Sequence, residues 1–290
     1  MPITPLRPIR IVQLTDPHLS TRHPQFLHNW DRLLEQLGTH PPDRVIVTGD
    51  LAYDGAGRAE DLAFARTQLD RLPAPWLVLP GNHDIGETVA DPAVPPKQAV
   101  TPERLERWLK LIGPDHWVEQ MGGWRLLGLN TQLLGSALPG EATQADWLER
   151  TLAEGEYLPT ALFLHKPLYH LEPETSPRSI ESLWPEHRHW LAELCQAHGV
   201  RMVASGHTHS HRMAQWRGLS LVWAPPCSFV VPSRRPPQYL GESAVGYAEH
   251  LLHPGGGVDS RIVLPTDLVA HDFESLTDGR RIPYLALGAE

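Results

Sequence analysis

Short apolar runs recur along the first two thirds of the chain, and each is followed by a polar segment. Runs of four to six apolar residues bounded by glycine or proline are typical of buried β-strands. Five of these runs end beside side chains that can bind metals: Ile9–Leu14, Val45–Thr48, Trp76–Leu79, Ala161–Leu164 and Val200–Ala204. We therefore predict five buried strands that deliver polar residues from their carboxyl ends.

Segments with helical apolar spacing alternate with these runs. They are Leu27–Leu37, Glu60–Leu72, residues 101–112, Gly140–Ala153 and about Ser179–His198. This alternation predicts a mostly parallel sheet with helices on its outer faces. Another strand is predicted at Trp124–Asn130, and the chain beyond His209 is rich in strands that we expect to form a second sheet: Met213–Trp216, Leu219–Trp223, Gly246–His253 and Asp259–Leu264.

Two long segments that contain proline interrupt the alternation, at residues 84–101 and 168–179. Loops of this length inside a compact domain are usually functional, and we place the first over the mouth of a site. The sequence shows no clear domain boundary, so we predict a single domain over residues 1–290. Residues 266–290 lack a strong pattern and are predicted to be a tail, or an arm on a partner subunit.

Composition narrows the class of protein. The chain has 290 residues, of which 41% are hydrophobic, enough for a sizeable core. Its net charge of −9 argues against nucleic acid as a partner, because phosphate backbones are bound by clustered lysine and arginine. Two cysteines give no disulfide framework. No stretch is apolar for the length of a membrane span, and the N-terminus lacks a signal-peptide pattern, so we expect a cytoplasmic protein with no membrane partner.

Metal-binding side chains follow the five strands in a fixed order. The motifs are Asp16-Pro17-His18, Gly49-Asp50, Gly81-Asn82-His83-Asp84, His165 and Gly206-His207-Thr208-His209. Carboxylate, amide and imidazole groups are suitable ligands for hard or borderline divalent metals. Ligands of open α/β sheets bind at the carboxyl ends of the strands, so these motifs predict one shared site. Residues i and i+2 of an extended chain point the same way, which lets both members of a pair reach it.

This order of motifs resembles the calcineurin-like metallophosphoesterase superfamily. The Gly-Asn-His-Asp and Gly-His-Thr-His forms are most similar to its class III cyclic nucleotide phosphodiesterases. The resemblance implies an α/β fold, a four-layer α/β/β/α sandwich of two mixed sheets with outer helices. It also implies two divalent metal ions, which could be Mn, Fe, Zn or Co, bridged by Asp50. Asp16, His18 and His209 would complete the first metal site, and Asn82, His165 and His207 the second.

The resemblance further implies hydrolysis of a small phosphodiester, with a 3′,5′-cyclic nucleotide such as cAMP as a candidate. The nucleophile would be a hydroxide that bridges the metals. His83 would contact the phosphate and help the leaving oxygen depart, as imidazolium if it donates a proton. Asp54 or Asp84 could orient His83, and the sequence does not choose between them. His170 lies close to His165 in sequence; His165 is the predicted ligand, and His170 is a candidate for substrate contact.

Other activities share these metal motifs. A phosphomonoesterase or a glycerophosphodiesterase would use the same ligands, and the segments 84–101 and 168–179 would separate them. The lipid A precursor pyrophosphatase branch typically carries arginine where this chain has His83. An inactive scaffold of the same fold is disfavoured, because every expected ligand position is filled. The family resemblance also allows a homodimer.

Overall fold

The computed structural model describes residues 7–88, 98–154, 158–231 and 241–273. Strands and helices alternate through most of this length. In chain order the elements are β1 (Ile9–Leu14), α1 (Gln25–Thr39), β2 (Arg44–Thr48), α2 (Ala59–Leu69), β3 (Trp76–Leu79), α3 (Asn82–Ile85), α4 (Pro102–Leu111), β4 (Trp117–Met121), β5 (Trp124–Leu129), α5 (Pro139–Glu154), β6 (Thr160–Leu164), α6 (Pro185–Ala197), β7 (Val200–Ser205), β8 (Arg212–Trp216), β9 (Leu219–Trp223), β10 (Phe229–Val230), β11 (Tyr247–Leu252), β12 (Val258–Val263) and β13 (His271–Asp272).

Two large mixed sheets form the centre of the fold. The first has the strand order β12-β11-β1-β2-β3, in which β1, β2 and β3 are parallel and β11 is antiparallel to both of its neighbours, β1 and β12. The second has the order β4-β5-β6-β7-β9-β8, with a parallel centre and antiparallel strands at both edges. The predicted mixed character of both sheets is confirmed.

Side chains alternate along the strands between two different cores, as the period of two requires. In β6, Phe163 packs between the two sheets, whereas Leu162 and Leu164 pack under the outer helices. Ile46 of β2 likewise faces the core between the sheets, and its neighbour Val47 faces the helices of the first sheet.

Helices cover the outer face of each sheet. Trp30 of α1, Leu62 of α2 and Trp108 of α4 belong to the core outside the first sheet. Leu148 of α5 and Leu191 of α6 belong to the core outside the second. Two sheets between two helical layers confirm the predicted four-layer α/β/β/α sandwich.

The strands beyond His209 do not form a sheet of their own, which corrects the prediction. β8 and β9 extend the sheet of β4–β7, and β11 and β12 extend the sheet of β1–β3. The reason is that both sheets have strand edges with free hydrogen-bonding groups, and apolar alternation does not specify which edge a strand will pair with. Each sheet therefore contains strands from both halves of the chain.

Helix α6 begins later than the predicted start at Ser179. Pro185 is its first helical residue, and Trp184 before it is extended, with φ −65° and ψ 154°. Proline suits the first turn of a helix because its missing N–H has no partner there, and it disfavours helical backbone at the preceding residue. The segment from 168 to 184 is consequently a long loop, and its residue Ile180 reaches the predicted site.

The start of the predicted C-terminal arm lies against the body of the fold. β13 pairs with β10 in parallel, and Phe273 is buried. Residues 274–290 lie outside the described part of the chain. Both cysteines, Cys195 and Cys227, are buried free thiols. Among the described residues, no helix has both the length and the apolar character that crossing a bilayer requires.

Candidate metal centre

The loops after β1 and β2 lie side by side and continue the pairing of their strands. The Asp16 N–H donates to the Gly49 carbonyl at 3.1 Å, and the His18 N–H donates to the Asp50 carbonyl at 3.0 Å. These backbone bonds bring three predicted ligands together at the carboxyl end of the first sheet. His165 follows β6, and His207 and His209 follow β7, so the second sheet supplies ligands from the opposite side of the seam between the sheets.

Backbone strain is concentrated at the predicted ligands. Five of them have left-handed backbone, with φ of 51° at Asp16, 47° at His18, 49° at Asp50, 70° at His207 and 48° at His209. Among the described residues other than glycine, two more adopt positive φ, both away from these motifs. Each such residue costs roughly 1–2 kcal/mol, and strain of this kind is characteristic of functional sites.

Two glycines allow the loops to approach the ligands. A Cβ atom at Gly49 would lie 2.3 Å from Nδ1 of His165, and the φ of +92° also favours glycine there. A Cβ atom at Gly81 would lie 2.2 Å from Oδ1 of Asp50. Any side chain at either position would therefore displace a predicted ligand.

Four residues form the first ligand group: Asp16, His18, Asp50 and His209. One ligand atom from each lies within 4.8 Å of the others. The Nε2 atoms of His18 and His209 are 3.2 Å apart, and Nε2 of His209 is 3.4 Å from Oδ1 of Asp16. Oδ2 of Asp50 is 3.7 Å from Nε2 of His18. All four residues are buried, so one ion could contact all of them out of bulk water.

The second ligand group contains Asp50, His165 and His207, with Asn82 beside it. Nε2 of His165 lies 3.4 Å from Oδ1 of Asp50 and 2.9 Å from Oδ1 of Asn82. Nδ1 of His207 is 3.1 Å from the same His165 nitrogen. Asp50 thus belongs to both groups, with one carboxylate oxygen nearest to each.

Backbone carbonyls fix the orientation of three ligand histidines. Nδ1 of His165 bonds to the Thr48 carbonyl at 2.8 Å, and Nδ1 of His209 bonds to the Phe229 carbonyl at 2.7 Å. His207 uses the other nitrogen, because its Nε2 bonds to the Ile180 carbonyl at 2.9 Å. A carbonyl accepts only from a protonated nitrogen, so the second nitrogen of each ring presents a lone pair to the cluster.

The protonation states suit metal binding. Burial lowers the pKa of His165 to about 4 and lowers the pKa of His18 and of His207 well below its usual range. These rings are therefore neutral at pH 7, which is the form that binds metals. Burial, with the charges of Asp16 and Asp84, raises the pKa of Asp50. Ionisation of this buried carboxylate is therefore unfavourable, and a bound cation would offset that free-energy cost.

One carboxylate oxygen of Asp16 is hydrogen-bonded, and the other is placed to bind a metal ion. Its Oδ2 accepts from the Thr15 hydroxyl at 2.6 Å and from the His207 N–H at 3.0 Å. Its Oδ1 is buried and has no hydrogen-bond partner among the described residues. An orphaned buried oxygen next to a histidine lone pair fits a divalent cation.

Comparison with known proteins agrees with this geometry. The family model of the calcineurin-like phosphoesterases matches residues 9–211. The chain belongs to this family. Its members are metal-dependent phosphoester hydrolases with dinuclear metal centres, and this protein is an enzyme of that type. The resemblance inferred from the five motifs is confirmed.

Named relatives of this calcineurin-like phosphoesterase include two phosphodiesterases. The glycerophosphodiester phosphodiesterase GpdQ of Enterobacter lignolyticus is 29% identical over 250 residues, which cover 78% of this chain and 83% of the relative. The 3′,5′-cyclic adenosine monophosphate phosphodiesterase CpdA of Escherichia coli strain K12 is 29% identical over 239 residues, 75% of each chain. A dimetal phosphatase from Danio rerio shares the fold, with a TM-score of 0.58, 14% identity, and coverage of 86% and 94% of the two chains.

His83, the predicted catalytic residue of this phosphoesterase, lies against the shared aspartate. Its N–H donates to Oδ1 of Asp50 at 2.8 Å, and its Nε2 is 3.9 Å from Oδ2. Nδ1 bonds to the Tyr53 carbonyl at 2.7 Å. Burial lowers the pKa of His83 to about 3, so the ring is neutral when no substrate is present. Its cationic form requires an anion such as a phosphate beside it.

Asp84 acts on the loop that carries Asp50. Its carboxylate accepts from the N–H groups of Leu51 at 3.0 Å, Ala52 at 2.8 Å and Gly81 at 2.8 Å. Burial raises its pKa to about 7, although these bonds act in the opposite direction. Nδ1 of the His83 ring bonds to the Tyr53 carbonyl, a partner that the sequence did not indicate.

The two remaining candidates have other contacts. Asp54 accepts from the Gly57 N–H at 3.2 Å and from Arg22 at 3.4 Å. Nδ1 of His170 bonds to the Ser182 hydroxyl at 2.8 Å, and burial lowers the pKa of His170 to about 4. His170 is thus a neutral, buried residue of the segment whose Ile180 carbonyl holds His207.

Proposed function

We propose that this protein hydrolyses a small phosphodiester, with a 3′,5′-cyclic nucleotide such as cAMP as the first candidate substrate. The observation that carries the proposal is the shared carboxylate of Asp50, which has one oxygen facing each ligand group. Asp16, His18 and His209 would hold one divalent ion with Asp50, and Asn82, His165 and His207 the other. When bound, such a pair activates water and stabilises the departing oxygen of a phosphoryl transfer.

The protein groups around this pair favour an anionic substrate. With two divalent ions bound, the ligand set would supply only two carboxylates beside imidazoles and one amide, so the assembly would keep positive charge. Burial of the ligands in a water-poor site strengthens the attraction of that charge for phosphate. The carbonyl bonds hold the histidines in position before substrate arrives, which lowers the reorganisation that the reaction requires.

His83 would act on the leaving oxygen. The Tyr53 carbonyl holds the Nδ1 proton, so Nε2 is the atom directed toward the ligand cluster and the incoming phosphate. An anionic phosphate beside Nε2 raises the proton affinity of the ring. The ring can then take up a proton from water at Nε2, and the resulting imidazolium can donate that proton to the oxygen that leaves.

Replacing His83 with alanine should lower kcat while leaving metal binding intact. Removal of a general acid typically costs about 10²–10⁴-fold in rate. The loss should be largest for diesters with alkoxide leaving groups, which need a proton, and smallest for nitrophenolate. Rates on both kinds of diester, with the Mn²⁺ content of the same samples, check this. Loss of a metal ion in His83→Ala would show instead that His83 is a ligand.

The relatives support a diester over a monoester. Two relatives at 29% identity bear names of diesterases, one acting on cyclic AMP and one on glycerophosphodiesters. The second name favours a second candidate substrate, a glycerophosphodiester. The metal ligands cannot separate these two diesters, because both present the same phosphodiester group to the same atoms.

Hydrolysis of model esters tests the proposal first. Protein treated with chelator and then supplied with Mn²⁺ should hydrolyse bis(p-nitrophenyl) phosphate faster than p-nitrophenyl phosphate. A panel of cAMP, cGMP and glycerophosphoethanolamine then separates the two candidate substrates. Faster turnover of the monoester would assign the protein as a phosphatase with the same ligands, and would overturn the diester proposal.

A further inference from the structure

A buried ion pair joins the two segments that carry the second ligand group. Lys166 directly follows His165, and its ammonium bonds to the carboxylate of Glu87, five residues after Asn82. The exposed fractions of the two side chains are 3% and 0%. Asn82 follows a strand of the first sheet and His165 a strand of the second, so this pair spans the seam between the sheets.

Gln132 continues this contact to the backbone of Asn82. In the orientation of its amide that satisfies both ends, the Gln132 nitrogen donates to Oε1 of Glu87 at 3.1 Å. The Gln132 side-chain oxygen then accepts from the N–H of Asn82 at 3.1 Å. Gln132 is fully buried. A continuous set of polar contacts therefore runs from the neighbour of one predicted ligand to the backbone of another.

Thr131 anchors the other side of the same connection. The Lys166 N–H donates to the Thr131 hydroxyl at 3.0 Å. Thr131 and Gln132 are consecutive and follow β5, a neighbour of β6 in the second sheet. The side chain of one therefore fixes the backbone beside His165, while the side chain of the next fixes the backbone of Asn82. Together these two contacts hold Nε2 of His165 and Oδ1 of Asn82 at their separation of 2.9 Å.

We propose that Lys166, Glu87 and Gln132 form a seam clamp that sets the affinity of the second metal position. These are positioning residues, which act through Asn82 and His165 rather than by touching the metal or the substrate. The inference rests on the proposed dinuclear function. A buried ion pair is costly to desolvate, and apolar residues of similar volume often stabilise a fold as well or better. The fold does not require the Lys166–Glu87 ion pair for its stability. Its role in positioning Asn82 and His165, which come from different sheets, explains its presence.

Two variants test the clamp without leaving an unpaired buried charge. Gln132→Leu removes the link to Asn82 and keeps the ion pair, whereas Lys166→Met with Glu87→Leu replaces both charges by apolar groups. Partners of metal ligands typically contribute about 10- to 100-fold to metal affinity. We expect each variant to lose that factor at the second position while the first position binds Mn²⁺ as in the wild type. Titration calorimetry on metal-free protein gives the affinities, and electron paramagnetic resonance detects the coupling between adjacent Mn²⁺ ions.

A matched control exists at the opposite ends of the strands. Arg44, the first residue of β2, pairs with Glu119 of β4, so this ion pair also joins the two sheets. Arg44→Met with Glu119→Leu should bind two Mn²⁺ ions with wild-type affinities, whatever its effect on stability. The control separates a specific effect on ligand position from a general loosening of the seam.

The outcomes distinguish the clamp from the function on which it rests. Selective weakening of the second Mn²⁺ ion in both clamp variants, but not in the control, supports the clamp. Wild-type affinities in the clamp variants, or equal weakening of both ions, would overturn it and leave the dinuclear function standing. Wild-type protein that binds fewer than two Mn²⁺ ions would overturn the proposed function and the clamp together.

Discussion

Asp50→Asn should lower kcat/KM for the diester by about 10³-fold or more and reduce bound Mn²⁺ from two ions to at most one. Asp50 is the residue common to both ligand groups, with Oδ1 toward His165 and Oδ2 toward His18. An amide has the same shape but supplies one neutral oxygen, so it cannot bridge two cations. Without the metal pair, the transition state loses several kcal/mol of stabilisation, which corresponds to a rate loss of about 10³-fold or more. Steady-state kinetics and elemental analysis of the purified variant give both quantities.

The same substitution should not destabilise the metal-free fold. The carboxylate of Asp50 is buried beside Asp16 and Asp84, and these surroundings raise its pKa. A folded-state pKa above the unfolded value means that stability is lost as pH rises, so the ionised group is unfavourable at pH 7. Metal-free Asp50→Asn should therefore melt at or above the wild-type temperature. Asp115→Asn is the matched control, because Asp115 is buried but hydrogen-bonded to Asn130 and His116; it should keep two metal ions and activity. Wild-type turnover in Asp50→Asn would contradict the shared-ligand assignment.

Removal of metal should lower the melting temperature of the wild-type protein substantially. The two ligand groups form only in the folded chain, so an ion at about 1,000 times its Kd stabilises the fold by about 4 kcal/mol. For a chain of this size, that corresponds to a rise of roughly 8 °C on adding Mn²⁺. Scanning calorimetry of chelator-treated protein with and without Mn²⁺ measures the change. Mg²⁺ is the control ion, because nitrogen-rich ligand groups disfavour it. An unchanged melting temperature with Mn²⁺ would contradict the metal centre.

Mn²⁺ affinity should also rise with pH. Because the pKa of Asp50 is raised, a proton competes with the cation for this carboxylate at pH values below that pKa, and affinity there increases by up to about tenfold per pH unit. The ligand His165 does not oppose this trend near neutrality, because its pKa is about 4 and its ring is already neutral. Calorimetry in buffers of different ionisation enthalpy should therefore detect proton release on binding. Affinity that is independent of pH would contradict the raised pKa of Asp50.

Periodicity and motif spacing predicted the strands and the members of the site. β1, β3 and β9 have the predicted bounds, because apolar runs ended by glycine, proline or charge have few other uses. The motifs converge because parallel strands end at one edge of a sheet. β4 was not predicted, since its apolar residues Trp117, Val118 and Met121 do not follow the strict alternation of a half-buried strand. Two-residue strands such as β10 have no periodicity at all.

Sequence alone determined which residues could be ligands, because the chemistry of a side chain and its place after a strand are local properties. Tertiary structure decided the rest. The carbonyls of Thr48, Tyr53, Ile180 and Phe229, which select the reactive nitrogen of each histidine, belong to residues whose side chains give no sign of that role. Lys166 and Glu87 are 79 residues apart and each looks like a surface residue by composition. They meet because the two sheets pack face to face. Local sequence patterns do not specify which distant segments will pack together.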